Sequence, residues 1–325
     1  MTNPVIAEVT RGGIVESRHR GAYAVVDASG HVVAAEGAIA APVYPRSAIK
    51  AFQCLPVIES GAADRFGFSE EEIALCCSSH NGEADHVRVA RALLAKAGNA
   101  EDLYECGAHW PYHEDSRFAL LRQGAGCAAV HNNCSGKHAG MLALARHLGV
   151  DPHGYVNPDH PVQRLIARRM GEICGVDLDA QPMGVDGCSV PTWAIPLKSL
   201  AQGFARFANP GLVAARRIMA AVRACPFMVG GSDDFDTLIM EAVPRLFIKT
   251  GAEGVYCACI PHAGLGVALK IDDGAARAAE VAIASVLAGL DQWTPEERNL
   301  LERFRHHDLV NWRKRGVGEV RGLSL

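Results

Sequence analysis

No run of eighteen apolar residues occurs in this 325-residue sequence, so no segment reads as a membrane span. The start, Met1-Thr2-Asn3-Pro4-Val5-Ile6, lacks a charged stretch followed by a long apolar one. No export signal is therefore expected, and the two absences together point to the cytoplasm. Basic charge is not in excess: 32 Lys and Arg against 36 Asp and Glu leave a net charge of -4, with a sequence pI near 6.4. The one basic run, Arg313-Lys314-Arg315, makes no stripe, which argues against a nucleic-acid partner. Internal repeats and low-complexity tracts are not evident. Cysteine is plentiful at 11, but C-x-x-C is missing, and the odd count, irregular spacing and lack of an export signal argue against a disulfide framework. Reduced thiols, mostly small core residues, are expected.

What is present is a globular composition, 49% hydrophobic and 21% charged, long enough for one large domain or two modest ones. Residues 5 to 10 and the hairpin-like pair 21 to 27 and 32 to 36 alternate as strands. Helical periodicity follows, with Ser69 and Glu72 in a capping-box pattern and apolar stripes over 116 to 123, 136 to 148, 161 to 174 and 212 to 224. Strand texture returns at 254 to 260 and 266 to 272, a helix is expected over 275 to 290, and Val317 to Val320 reads as a last edge strand. The economical fold class is α/β: one antiparallel sheet from residues 1–45 and 245–325 packed with helices, plus an inserted all-α domain over 46–244.

Two sequences carry chemistry. Pro45-Arg46-Ser47-Ala48-Ile49-Lys50 is an S-x-x-K at the exit from the first strands. On a helix a spacing of three puts Ser47 and Lys50 on one face, where an amine is positioned to take the hydroxyl proton during attack on a carbonyl. S-x-x-K followed by K-T-G marks serine β-lactamases and penicillin-binding proteins, and Lys249-Thr250-Gly251 supplies that triplet at the return to the sheet. A serine-capped helix start is the plainer reading of S-x-x-K alone; the two motifs in order say more. The second sequence, His131-Asn132-Asn133-Cys134-Ser135-Gly136-Lys137-His138, sets amides, a thiol, an amine and an imidazole at a helix start. Some fifty residues on, Asp186-Gly187-Cys188-Ser189-Val190-Pro191 adds an acid and a thiol. If the loops meet, these side chains suit zinc; otherwise they are a polar loop cluster with buried thiols.

Asn132-Asn133-Cys134-Ser135-Gly136-Lys137-His138, Asp186-Gly187-Cys188-Ser189-Val190-Pro191, Lys249-Thr250-Gly251-Ala252-Glu253-Gly254-Val255 and Gly264-Leu265-Gly266-Val267-Ala268-Leu269-Lys270-Ile271 resemble the signature segments of the rhizobial-type (Rhizobium etli-type) L-asparaginases. The resemblance runs from about Val5 to Gly322, close enough to expect a Rhizobium enzyme. It implies a serine β-lactamase/glutaminase-like fold, a homodimer, and hydrolysis of the side-chain amide of L-asparagine. It implies Ser47 as nucleophile, Lys50 as its base, Ser79 as a second hydroxyl in a proton relay, and zinc held by Cys134, Cys188 and Lys137 with Asp186 close by. A lysine ligates only when deprotonated, so metal binding is expected to weaken as pH falls. The family's second lysine, just before G-L-G, is missing from Ile260-Pro261-His262-Ala263-Gly264, which makes His262 the candidate base there. For the substrate, Arg46 or His138 is expected to face the α-carboxylate and Asp186 or Glu83 the α-ammonium, with His80 and Asn133 completing the binding set. The competing readings are a glutaminase or broader amidase, a β-lactamase or peptidase, and a non-catalytic zinc- or amino-acid-binding protein.

Overall fold

The computed structural model describes residues 2–323, and the chain divides into two compact units. The first comprises Met1–Ala48, Ile195–Asn209 and Ile239–Leu325. Its centre is an eight-stranded sheet of β1 (Val5–Arg11), β2 (Ile14–Asp27), β3 (Val32–Glu36), β4 (Phe247–Gly251), β5 (Val255–Ile260), β6 (Leu265–Ile271), β7 (His306–Val310) and β8 (Gly316–Gly322). The order is β7-β8-β1-β2-β6-β5-β4, with β3 also on β2, and every pairing is antiparallel. The two chain ends thus interleave in one sheet, as the strand texture predicts.

The long β2 has two halves. Ile14 to Arg18 alternates between exposed and half-buried, whereas Ala22 to Val26 is buried without interruption. The first half has one wet face; the second, like the wholly buried β5, is covered on both. Helices Leu197–Phe207 and Ala276–Ala288 provide cover. In the first, Leu197, Leu200, Ala201, Phe204 and Ala205 recur at three and four residues and form one buried stripe. It lies so close to β6 that a Cβ on Gly266 would stand 2.0 Å from the Ala201 carbonyl oxygen. Val317 to Val320 is not an edge: β8 pairs with both β1 and β7. The edge on that side is β7, His-His-Asp-Leu-Val, largely exposed, so it carries no apolar alternation by which to recognise it.

The second unit comprises Ile49–Ala194 and Pro210–Leu238. Helix Ser135–Leu148 is buried from Ser135 to Ala145 and packs against helices Lys50–Glu59, Glu70–Cys76 and Ala84–Lys96. Glycines permit the closest of these approaches. A Cβ at Gly136 would lie 2.3 Å from the Leu75 carbonyl oxygen, and one at Gly140 2.8 Å from Cys76 Sγ. The expected capping box is present: the Ser69 hydroxyl accepts from the Glu72 N–H, and Glu72 Oε2 accepts from the Ser69 N–H at 2.7 Å. Helix Pro161–Cys174 matches its expected limits. The unit is helical without being all-α, because Met183–Val185 pairs with Pro191–Trp193 in a short hairpin. Among the described residues none of the eleven cysteines is in a disulfide. Among the described residues no helix is long and apolar enough to cross a membrane.

Candidate active site

Ser47 sits half-buried in a single 3-10 turn, Arg46–Ile49, that runs directly into helix Lys50–Glu59. Ser47 is thus the second residue of the turn, and Lys50 the first of the helix. Arg46, just before the serine, has φ 52°, a left-handed conformation that costs a non-glycine residue roughly 1 to 3 kcal/mol. The K-T-G strand abuts this turn: a Cβ on Gly251 would lie 2.4 Å from the Pro45 carbonyl oxygen and 3.2 Å from the Ala48 nitrogen. Only glycine lets β4 approach so closely, which is a physical reason for the third letter of the triplet.

Lys50 is fully buried in the helical unit. Its amine donates to the Ser78 carbonyl and, at 2.9 Å, to Ser79 Oγ. Ser79 is held in place by its own N–H, which donates to the Val229 carbonyl at 2.9 Å, and two residues on the Asn81 N–H donates to the Gly230 carbonyl at 2.8 Å. A short irregular stretch between two helices thus presents the Ser79 hydroxyl to the amine.

Several expected site residues do other work. His262 Nε2 donates to the Gln292 carbonyl at 2.8 Å and its ring meets Trp293 edge-on at 5.6 Å. The turn Pro261–Ala263, closed by Gly264 at φ 65°, aims the ring that way. Ser79 is served by Lys50 instead. Glu83 Oε1 accepts from the Ser232 N–H at 2.7 Å and Oε2 from the Ser232 hydroxyl at 2.9 Å. This carboxylate is thereby tied to a neighbouring loop rather than left for a substrate ammonium. His80 is buried, with Nδ1 accepting from the Gly82 N–H at 3.1 Å and Nε2 donating to Ser135 Oγ at 2.8 Å. Burial, then the neighbouring His86, holds its pKa well below the ordinary histidine value. With both nitrogens used and the ring stacked on His86 at 4.9 Å, His80 is a neutral brace. The Asn133 backbone is also committed: its N–H donates to His109 Nε2 at 2.9 Å and its carbonyl accepts from the His80 N–H at 3.2 Å.

The second constellation does converge. Cys134 immediately precedes helix Ser135–Leu148, Lys137 lies in its first turn, and Cys188 stands at the tip of the Met183–Trp193 hairpin. The tip is shaped by Asp186, whose N–H donates to the Val190 carbonyl at 2.8 Å, and by Ser189 at φ 74°. Lys137 Nζ donates to Cys188 Sγ at 3.0 Å. A hydrogen bond from Cys134, aided by Lys137 against the opposing effect of burial, pulls the Cys188 thiol down to about 5. The same bond, together with burial, pushes Cys134 up to about 12. Burial pushes the Lys137 amine down, but Cys188, Cys134 and Asp186 outweigh it and raise its pKa. These shifts favour a thiolate at Cys188, an ammonium at Lys137 and a thiol at Cys134. Among the described residues no group of three or more His, Cys, Asp and Glu is disposed to hold a metal. Two sulfurs and one amine are nevertheless within reach of a common ion, at the cost of the protons on Cys134 and Lys137.

His138, next on the same helix, is fully buried. Its Nδ1 lies 2.6 Å from the Tyr155 hydroxyl, while Nε2 is buried without a partner. Tyr155 was invisible to sequence reasoning: a lone tyrosine in a polar loop carries no pattern. A surface cavity of about 670 Å³ in the same unit, lined by Arg164, Arg168, Asp177 and Trp193, contains none of the site residues.

Together these features describe a mixed α/β protein with a buried lysine on a serine hydroxyl and, in the same helical unit, a cysteine–lysine cluster. The chain belongs to the L-asparaginase II family, whose model matches residues 7–322, and hence to the hydrolases that act on amides. No curated protein matches it. Among solved structures it is similar to a β-lactamase from Mycobacterium bovis (13% identity, 87% of this chain and 94% of the other, TM-score 0.41). It is also similar to Mglu in its native form (16%, 93% and 68%, 0.37) and to the unliganded simvastatin synthase LovD from Aspergillus terreus (12%, 87% and 91%, 0.37).

Proposed function

We propose that this protein hydrolyses the side-chain amide of L-asparagine to L-aspartate and ammonia through an acyl-serine. The observation that carries the reading is the fully buried Lys50 amine on Ser79 Oγ at 2.9 Å, in a member of an amide-hydrolase family, three residues after Ser47. Ser47 attacks the amide carbon and its proton passes to Lys50, with Ser79 as the relay that the hydrogen bond provides. The tetrahedral oxyanion is met by fixed donors, among them the Ser47 N–H. Lys50 returns the proton to the leaving ammonia, and water then cleaves the acyl-serine. Asp186 faces the substrate ammonium and Arg46 or His138 its carboxylate; Glu83 and His262 drop out because both are engaged elsewhere.

Zinc belongs to the same reading. Cys134, Cys188 and, once deprotonated, Lys137 would hold it, and a bound ion would supply positive charge to orient the substrate. Its uptake would release protons from Cys134 and Lys137, and affinity would then rise with pH.

The test is ammonia release from L-asparagine and L-glutamine, side by side, by wild type and Ser47→Ala. Release from asparagine that Ser47→Ala abolishes, with its circular dichroism unchanged, is the expected result. Equal release from both amides makes the protein a broader amidase, since one methylene gives only about 1 to 3 kcal/mol of discrimination. No release from a folded, zinc-loaded sample overturns the reading.

A further inference from the structure

We propose that Tyr155 is a positioning residue that sets the tautomer of His138, so that the His138 Nε2–H is offered as a neutral donor to an oxygen of the bound substrate. The inference deepens the asparaginase reading and rests on it for the identity of that oxygen. The tautomer follows from counting protons. Tyr155 has one hydroxyl proton, and its oxygen already accepts the Glu105 N–H at 3.1 Å. If His138 Nδ1–H donated to that oxygen, two groups would be stranded in a buried place: the tyrosine proton and the unprotonated Nε2. If instead Tyr155 donates to Nδ1 across 2.6 Å, one group is left over, the Nε2–H. An unmade buried hydrogen bond is expensive, so the second arrangement prevails. A ring whose Nδ1 accepts is neutral.

The tyrosine is built for this role. It is fully buried, its ring meets the imidazole edge-on at 5.4 Å and 78°, and its carbonyl accepts from Gln163 Nε2 at 2.9 Å. Glu105 Oε1 accepts the Gly154 N–H at 2.6 Å, so the residue before Tyr155 is tied to the residue that caps its hydroxyl. These contacts hold Tyr155, and through it the imidazole, in one orientation. Nε2 is among the buried polar atoms without a partner. The charges that act on the ring belong to Lys137, Cys134, Lys50 and Asp186, side chains already placed in the proposed site. A donor fixed so firmly and left unpaired among those groups calls for an oxygen acceptor from a ligand, which for an amino-acid amide is the carboxylate or the carbonyl.

The experiment uses the full-length protein with 15N-labelled histidine, His138 being assigned from the resonances lost in His138→Gln. The expected spectrum has an unprotonated, hydrogen-bonded Nδ1 and a protonated Nε2, mixed tautomers in Tyr155→Phe, and an Nε2–H shift when L-aspartate is added to wild type. In turnover, Tyr155→Phe raises KM for asparagine by about tenfold with much less change in kcat, one hydrogen bond's worth. His138→Gln, which keeps an amide N–H, retains binding that His138→Leu loses. A wild-type Nδ1–H tautomer overturns the proposal. So does a His138→Leu KM equal to that of His138→Gln, which would assign the Nε2–H to a buried water. Absence of turnover would sink the asparaginase reading and the substrate half of the proposal with it, while the spectrum still decides the Tyr155 half; turnover with no Nε2–H response to aspartate would sink the proposal alone.

Discussion

Lys50 and Lys137 occupy the same helical unit and are equally withdrawn from water, at 0% and 3% exposure, yet they sit among different partners. Lys50 donates to a hydroxyl and a peptide carbonyl, both uncharged. Lys137 donates to a sulfur that it helps to ionise and has Asp186 nearby to hold its own proton on. Burial by itself therefore does not assign a lysine its task. A partner hydroxyl gives an amine something to exchange a proton with, whereas a partner thiolate makes it half of an ion pair or, with both protons gone, part of a metal site.

The sharpest way to break this comparison is Lys50→Met, which keeps the volume and removes the amine. Activity on asparagine should fall by about 10²- to 10⁴-fold, the range for a lost general base, with the thermal midpoint little changed. Activity within a few-fold of wild type would remove Lys50 from the chemistry. Lys137→Met should do the opposite, leaving the Cys188 thiolate buried and unpaired. Its expected cost in urea unfolding is about 3 to 5 kcal/mol, most of which Lys137→Met/Cys188→Ala should restore. Equal destabilisation in the single and double variants would mean the two side chains are not coupled.

The ion pair also has a pH signature. Cys188 ionises near 5 in the folded protein against an ordinary 9.0, so folding releases a proton between those values. Its contribution is complete above about 9 and is lost as pH falls towards 5. The raised Cys134 and Lys137 values act only near and above their ordinary 9.0 and 10.5, so they leave that window to Cys188. Urea titrations of metal-free wild type and Cys188→Ala at pH 5.5, 7 and 8.5 should diverge as pH rises, and parallel curves would show that Cys188 is not a thiolate. The smallest effect is expected from Glu83→Gln, about 1 to 2 kcal/mol from weakened bonds to Ser232, with KM for asparagine unmoved. A tenfold rise in KM at unchanged stability would return Glu83 to the substrate.

Periodicity made the regular elements legible. The limits of helix Pro161–Cys174 and strand β3 were readable to the residue; the helix buries one face and its apolar spacing records the fact, while β3 is bounded by glycines at 30 and 37. Strand β7 was not, since an exposed edge needs no apolar pattern. Nor was helix Leu197–Phe207, for which no element is read from the sequence: its buried stripe covers the sheet, a surface that distant segments build. Of the proposed site, Ser47, Lys50, Cys134, Lys137 and Cys188 stand out in the sequence because their motifs are contiguous. The roles of Glu83, His80, His262 and Tyr155 depend on partners 149, 55, 30 and 17 residues away.

By itself, then, the sequence determined which side chains with chemistry are present, their local spacing, and the alternation of sheet and helix that carries them, because these depend on neighbours along the chain. Tertiary structure alone decided which amine meets which hydroxyl or sulfur, that Gly251 brings β4 against the Ser47 turn, and which way the His138 ring is protonated. Each of these is a contact between segments distant in the chain, and hydrogen bonds and ion pairs are fixed by distance in space.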